Sequence, residues 1–99
     1  YAKQVAQAGL NGEAEKGLLV CGTGLGMSMT ANRFPGIRAA VISDAFSAKA
    51  TREHNDANII CFGQRVISEE KATELLDIFM DTPFSFEERH ERRIAKIEQ

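Results

Sequence analysis

A short apolar stretch, Gly17-Leu18-Leu19-Val20, runs directly into Cys21-Gly22-Thr23-Gly24-Leu25-Gly26-Met27, where three glycines alternate behind a cysteine. Residues Met27 to Arg33 beyond them can form a helix, so the glycines fall at a strand-to-helix turn. Such a turn aims backbone N–H groups at whatever lies above it, which suits an anionic ligand.

The rest of the chain keeps this alternation. Val5, Ala8 and Ala2 mark one face of a first helix, closed by Gly9 and the Asn11-Gly12 pair. After Phe34-Pro35-Gly36, the run Ile37 to Ile42 reads as a second buried strand. Ser43 or Asp44 can cap a helix over Ala45 to Glu53, with Ala45, Ala48 and Phe46 on its apolar side. His54-Asn55-Asp56 reads as a polar turn, and Ala57 to Phe62 as a third strand ending at Gly63. Ser68-Glu69-Glu70-Lys71 starts a helix that runs to about Met80 and is broken by Pro83. The tail from Ser85 to Ile97 is a charged helix whose few apolar positions, Phe86, Ile94 and Ile97, suit a surface or intersubunit element. Strands and helices in this order predict right-handed βαβ units and a parallel sheet covered on both faces. Ligands of such sheets bind beyond the carboxyl ends of the strands, where Cys21, the glycine loop, Asp44 and Gly63 to Arg65 all fall.

Size and charge narrow the possibilities. A chain of 99 residues, 43% hydrophobic and 26% charged, fits one small globular domain or a piece of one. A sheet this thin gains from a second subunit, so an oligomer is expected. The net charge of -2 gives no general attraction to nucleic acid or anionic lipid, and no apolar run approaches bilayer length. Two cysteines, Cys21 and Cys61, are too few for a disulfide framework or a tetrahedral zinc site, which predicts a reducing cytoplasm. The chain opens at Tyr1 without methionine, already inside a helical pattern, which predicts an absent N-terminal portion.

Spacing prunes the readings of the glycine loop. A P-loop needs Gly-Lys-Ser/Thr after its glycines, and no lysine is present. A cysteine phosphatase loop wants an arginine closing the loop, and positions 22–28 contain none. A dinucleotide fingerprint would place a third glycine where Met27 stands, although Asp44 lies at a strand end about 20 residues on, as a ribose-binding acid should. That reading stays open, as does a turn that merely needs glycine. Cys21 at a helix N-terminus, beneath several N–H groups, has its thiolate favoured and can act as nucleophile or base. Cys61, inside a strand, reads as core. His54, a lone histidine in a polar turn, reads from the residues as a surface or capping residue before a catalyst. Arg89 and Arg93, four apart, share one helical face able to hold a phosphate, or belong with Glu88 and Arg92 to a solvated salt-bridge helix.

The motifs converge on a resemblance that covers essentially the whole chain. Cys21-Gly22-Thr23-Gly24-Leu25-Gly26-Met27-Ser28, Ala31-Asn32, Gly36-Ile37-Arg38-Ala39, Arg52-Glu53-His54-Asn55-Asp56-Ala57-Asn58, Gly63-Gln64-Arg65-Val66-Ile67 and Arg89-His90-Glu91-Arg92-Arg93 together resemble the family of ribose-5-phosphate isomerase B and the galactose-6-phosphate isomerase subunits. The resemblance implies a single α/β domain over residues 1–99, a Rossmann-like three-layer αβα sandwich with a parallel sheet, here lacking the usual N-terminal strands. It also implies a homodimer or dimer of dimers with shared active sites, the helix at about 85–98 at a subunit interface, and no metal or cofactor.

Carried over by residue, the resemblance makes Cys21 the base that moves a proton between two carbons of an open-chain sugar phosphate. Gly22, Gly24, Leu25 and Gly26 would supply N–H groups to the enediolate oxygens. His54 would be the acid that opens the furanose ring, with Thr23 nearby and Asn55 on sugar oxygens. Arg65, Arg89 and Arg93 would bind the phosphate. The cysteine and the His-Asn pair resemble the ribose enzyme more than the galactose subunits, with hexose 6-phosphates as the alternative substrate. Family members begin with a strand ending in an Asp-His or similar pair, absent before Tyr1, so the chain is expected to be a fragment. A dinucleotide-binding module and an inactive dimerising fragment are the rival readings.

Overall fold

The computed structural model describes residues 16–99. Its elements are β1 (Gly17–Cys21), α1 (Leu25–Ala31), β2 (Ala39–Val41), α2 (Ala45–Asn55), β3 (Ile59–Gly63), α3 (Glu69–Asp81) and α4 (Glu88–Ile97). The helix expected around Val5 and Ala8 lies outside the described residues.

The three strands form one parallel sheet in the order β1-β3-β2. Gly17 and Ala39 both stand opposite Ile59, and Cys21 stands opposite Gly63. The central strand is Ile-Ile-Cys-Phe-Gly, apolar through its first four residues, and all five are buried. A parallel strand flanked on both sides must be apolar on both faces. Alternation sends Leu19, Ile59 and Cys61 to one face, against Ala31 of α1 and Ile37. Ile60 and Phe62 go to the other, against Ala48 of α2 and Leu75 and Phe79 of α3. The result is the expected αβα sandwich. Fully buried side chains such as Phe79 and Leu75 each contribute roughly 1.5–3 kcal/mol through removal from water.

Several boundaries differ from the sequence expectation for local reasons. α1 begins at Leu25, earlier than Met27, because Gly24 at φ 84° turns the chain directly into the helix. The second strand is only Ala39–Val41. Ile37 instead closes a turn on the Phe34 carbonyl, at 3.1 Å. His54 and Asn55 are not a turn but the last residues of α2, which Asp56 stops at φ 47°. α4 starts at Glu88, after Phe86 adopts φ 60°.

Two expectations about burial are corrected. Phe46 is 80% exposed. The buried stripe of α2 is Ala48, Thr51 and Arg52, and Phe46 lies about 200° around the helix from Ala48 at 100° per residue. The second concerns the cover of the sheet, which among the described residues is incomplete at β1. On the α2/α3 face of β1, Leu18 is 37% and Val20 45% exposed, so this strand presents apolar side chains beside an edge with no neighbouring strand among the described residues.

Candidate active site

The glycine loop lies across the carboxyl end of β3. Gly63 fits there only because it has no side chain: a Cβ on it would stand 2.6 Å from the carbonyl carbon and oxygen of Thr23. Gly24 occupies the left-handed region, and a Cβ there would come within 3.2 Å of Val41 and 3.3 Å of the Phe62 carbonyl carbon. With the loop laid down in this way, the Gly24 N–H donates to Cys21 Sγ at 3.0 Å. The Leu25 N–H donates to Thr23 Oγ1 at 3.3 Å. Gln64 N–H to the Cys21 carbonyl (2.8 Å) and Arg65 N–H to the Gly22 carbonyl (3.0 Å) tie the next loop beneath it. The Arg65 side chain lies beside Gly22, whose hypothetical Cβ would be 3.4 Å from its Nε. Cys21, Gly22, Thr23, Gly24, Leu25, Gly26 and Arg65 therefore form one cluster.

The two cysteines sit in different environments. Cys21 is half-buried at the strand end. Cys61 is fully buried in the sheet, and burial first, then electrostatic coupling to the neighbouring Cys21 thiol, pushes its own thiol up to about 11. Cys61 is core, as expected. Asp44 caps α2: Oδ1 accepts the Ser47 N–H at 2.7 Å and Oδ2 accepts the Ser47 hydroxyl at 3.0 Å. Those two bonds, the backbone one first, hold its carboxyl below the ordinary carboxylate range.

His54 and Asn55 are elsewhere. α2 returns the chain from the carboxyl end of β2 to the amino end of β3, so its last turn lies at the edge of the sheet opposite Cys21. The intervening five-residue strand spans about 13 Å at roughly 3.3 Å per residue. This end is pinned by two arginines. Arg38 Nε donates to the carbonyls of Asn55 (3.0 Å) and Asp56 (3.2 Å), and Arg38 also pairs with Glu98. Arg52, itself buried, gives Nη1 to Asp56 Oδ1 (2.8 Å) and the Ala57 carbonyl (2.7 Å) and Nε to the Thr82 carbonyl (3.0 Å).

α4 closes over the same end. The His90 ring stacks on that of His54, with centroids 4.4 Å apart and planes inclined 34°. His90 is 2% exposed, and its Nδ1 lies 2.8 Å from Ser85 Oγ. Burial first, then the positive charges of His54, Arg89 and Arg93, hold His90 below the usual imidazole range, while Glu87 opposes them. Arg89 and Arg93 are exposed on α4; Arg89 makes a loose contact with Glu87 at 3.4 Å, and Arg93 makes no ion pair among the described residues. The Glu88 and Arg92 pair does not form among the described residues either.

The sequence-predicted residues thus divide between two ends of the sheet. Cys21, Thr23, the loop N–H groups and Arg65 occupy one; His54, Asn55, Arg89 and Arg93 the other. Sequence reasoning missed the supporting set, His90, Ser85, Arg38, Arg52 and the close approach of Gly63. His90 stands between Arg89 and Glu91, and nothing local marks a contact across 36 positions.

A parallel three-layer α/β sheet with an N–H-lined, cysteine-headed turn at one end and a histidine and arginines at the other defines the class of small-ligand α/β proteins. The family model described as Ribose/Galactose Isomerase matches residues 1–97. A putative sugar phosphate isomerase, YwlF, from Bacillus subtilis is 52% identical over 97 residues, covering 98% of this chain. Ribose-5-phosphate isomerase B of Escherichia coli is 44% identical over 97 residues, again 98% of this chain. The crystal structure of a ribose 5-phosphate isomerase from Thermotoga maritima superposes with a TM-score of 0.95 at 51% identity, covering 99% of this chain and 67% of that one. This chain belongs to the ribose/galactose isomerase family. It spans 64% of the length of each of the two bacterial relatives.

Proposed function

We propose that the protein interconverts ribose 5-phosphate and ribulose 5-phosphate through a cis-enediolate. The observation that carries this reading is Cys21 Sγ held at 3.0 Å by the Gly24 N–H, at the mouth of a turn flanked by Arg65. Cys21, as thiolate, removes the proton from C2 of the open-chain aldose. The C–H electron pair becomes the C1–C2 double bond, and the former carbonyl pair moves to O1. Donors at Gly22, Gly24, Leu25 and Gly26 favour that charge, as an oxyanion hole does. Return of the proton to C1, with transfer of the O2 proton to O1, yields the ketose.

His54 protonates the ring oxygen of the furanose so that the chain opens, Asn55 binds sugar hydroxyls, and Arg65, Arg89 and Arg93 bind the phosphate. Because the two clusters lie at opposite ends of one sheet, a complete site takes the glycine loop from one copy and the His54 end of α2 with α4 from a second. The chemistry needs only proton transfers. In the full-length protein, Cys21→Ala is expected to lower ribulose 5-phosphate formation at least about a hundredfold, the scale of a lost general base. Fold and sugar-phosphate binding are retained; turnover at the wild-type rate overturns the reading.

A further inference from the structure

His54 is backed by a residue that the proposed reaction does not use. The His90 ring lies against it at 4.4 Å between centroids, and at 2% exposure His90 is out of reach of any substrate. Ser85 holds His90 through the 2.8 Å contact of its Oγ with Nδ1. Ser85 is itself anchored at both sides. Its N–H donates to the carbonyl of Glu53, the residue before His54, at 3.3 Å, and its Oγ accepts the Glu87 N–H at 3.3 Å. The contacts close a circuit: the backbone of α2 fixes Ser85, Ser85 fixes His90, and His90 forms a flat wall against the side chain of His54. A side chain with an immobile ring on one face loses the rotamers that would sweep through it.

We propose that His90 is a positioning residue for ring opening: locked by Ser85, it holds His54 in the orientation from which His54 protonates the sugar's ring oxygen. This rests on the reading of His54 as the ring-opening acid. The charged groups around His90 are His54, Arg89, Arg93 and Glu87. Burial first, then the like charges around it, disfavour a proton on His90, so it packs against His54 as a neutral ring.

A double-mutant cycle in the full-length protein tests this. His90→Ala is expected to lower kcat for ribose 5-phosphate about ten- to hundredfold with little change in KM, the scale of a misoriented catalytic group. In a His54→Asn background the same substitution is expected to cost nothing further. Ser85→Ala, which removes only a hydroxyl, should act in the same direction more weakly and also fall silent with His54→Asn; it carries the test alone if His90→Ala does not fold. A loss that persists undiminished in the His54→Asn background, as a purely structural role would give, overturns the proposal, and so does the absence of any loss. Wild-type turnover in the His54→Asn single variant would instead overturn the reading of His54 itself.

Discussion

Arg93 carries a guanidinium with no carboxylate partner among the described residues, on a helix face it shares with Arg89. A charge-assisted bond to phosphate contributes about 1.5–3 kcal/mol, so Arg93→Ala is expected to weaken binding of inorganic phosphate about tenfold or more by calorimetry; unchanged affinity would remove Arg93 from the phosphate site. His90 bears on stability as well. Its folded-state pKa lies below the unfolded value, so below about pH 6.5 the unfolded chain binds the proton more readily than the folded one. Stability is therefore complete above that pH and declines as pH falls toward the folded-state value. In His90→Phe this part of the decline should be missing from urea midpoints taken between pH 7 and 5. The strand-to-helix turn at Cys21 was legible because its geometry is local, a side chain and a backbone N–H within three residues. The His90–His54 contact was not, since each residue taken alone reads as an ordinary polar position.

The elements themselves were mostly legible, because hydrophobic periodicity and turn residues report on them directly. Ser68 caps α3 through the Lys71 N–H at 3.1 Å and Asp44 caps α2, both as the sequence suggests. What escaped was decided by tertiary pairing: β2 shrinks to three residues, and α2 extends over His54 and Asn55 because Arg38 and Arg52 collect the carbonyls at its end. Gly63 gives a contrast that a sequence cannot. Gly63→Ala drives a methyl into the Thr23 backbone at 2.6 Å and is expected to cost about 2 kcal/mol or more, as overpacking against backbone does. Gly26→Ala meets nothing within 4 Å and, in a helix, should leave the unfolding free energy from urea titration unchanged or raise it by up to about 1 kcal/mol. Equal midpoints for the two variants would contradict the close approach.

For the whole molecule, a site divided between copies makes a distinct prediction. In a two-fold dimer with two shared sites, mixing refolded Cys21→Ala and His54→Asn subunits should restore roughly a quarter of wild-type turnover, because half the dimers are mixed and each holds one intact site. No recovery would place both clusters in the service of one chain. The apolar side chains left outside, among them Leu18, Val20, Met29 and Phe46, are the material from which contacts between copies or with further chain can be made. On the proposed reading, the placement of Cys21 and His54 at opposite ends of β3 would also make catalysis a matter of mass action. A solitary copy would hold two half-sites and complete neither. Turnover per chain would then fall as the protein is diluted through its dissociation constant, and substrate bridging two copies would resist that fall, making sugar phosphate an assembly factor as well as a reactant.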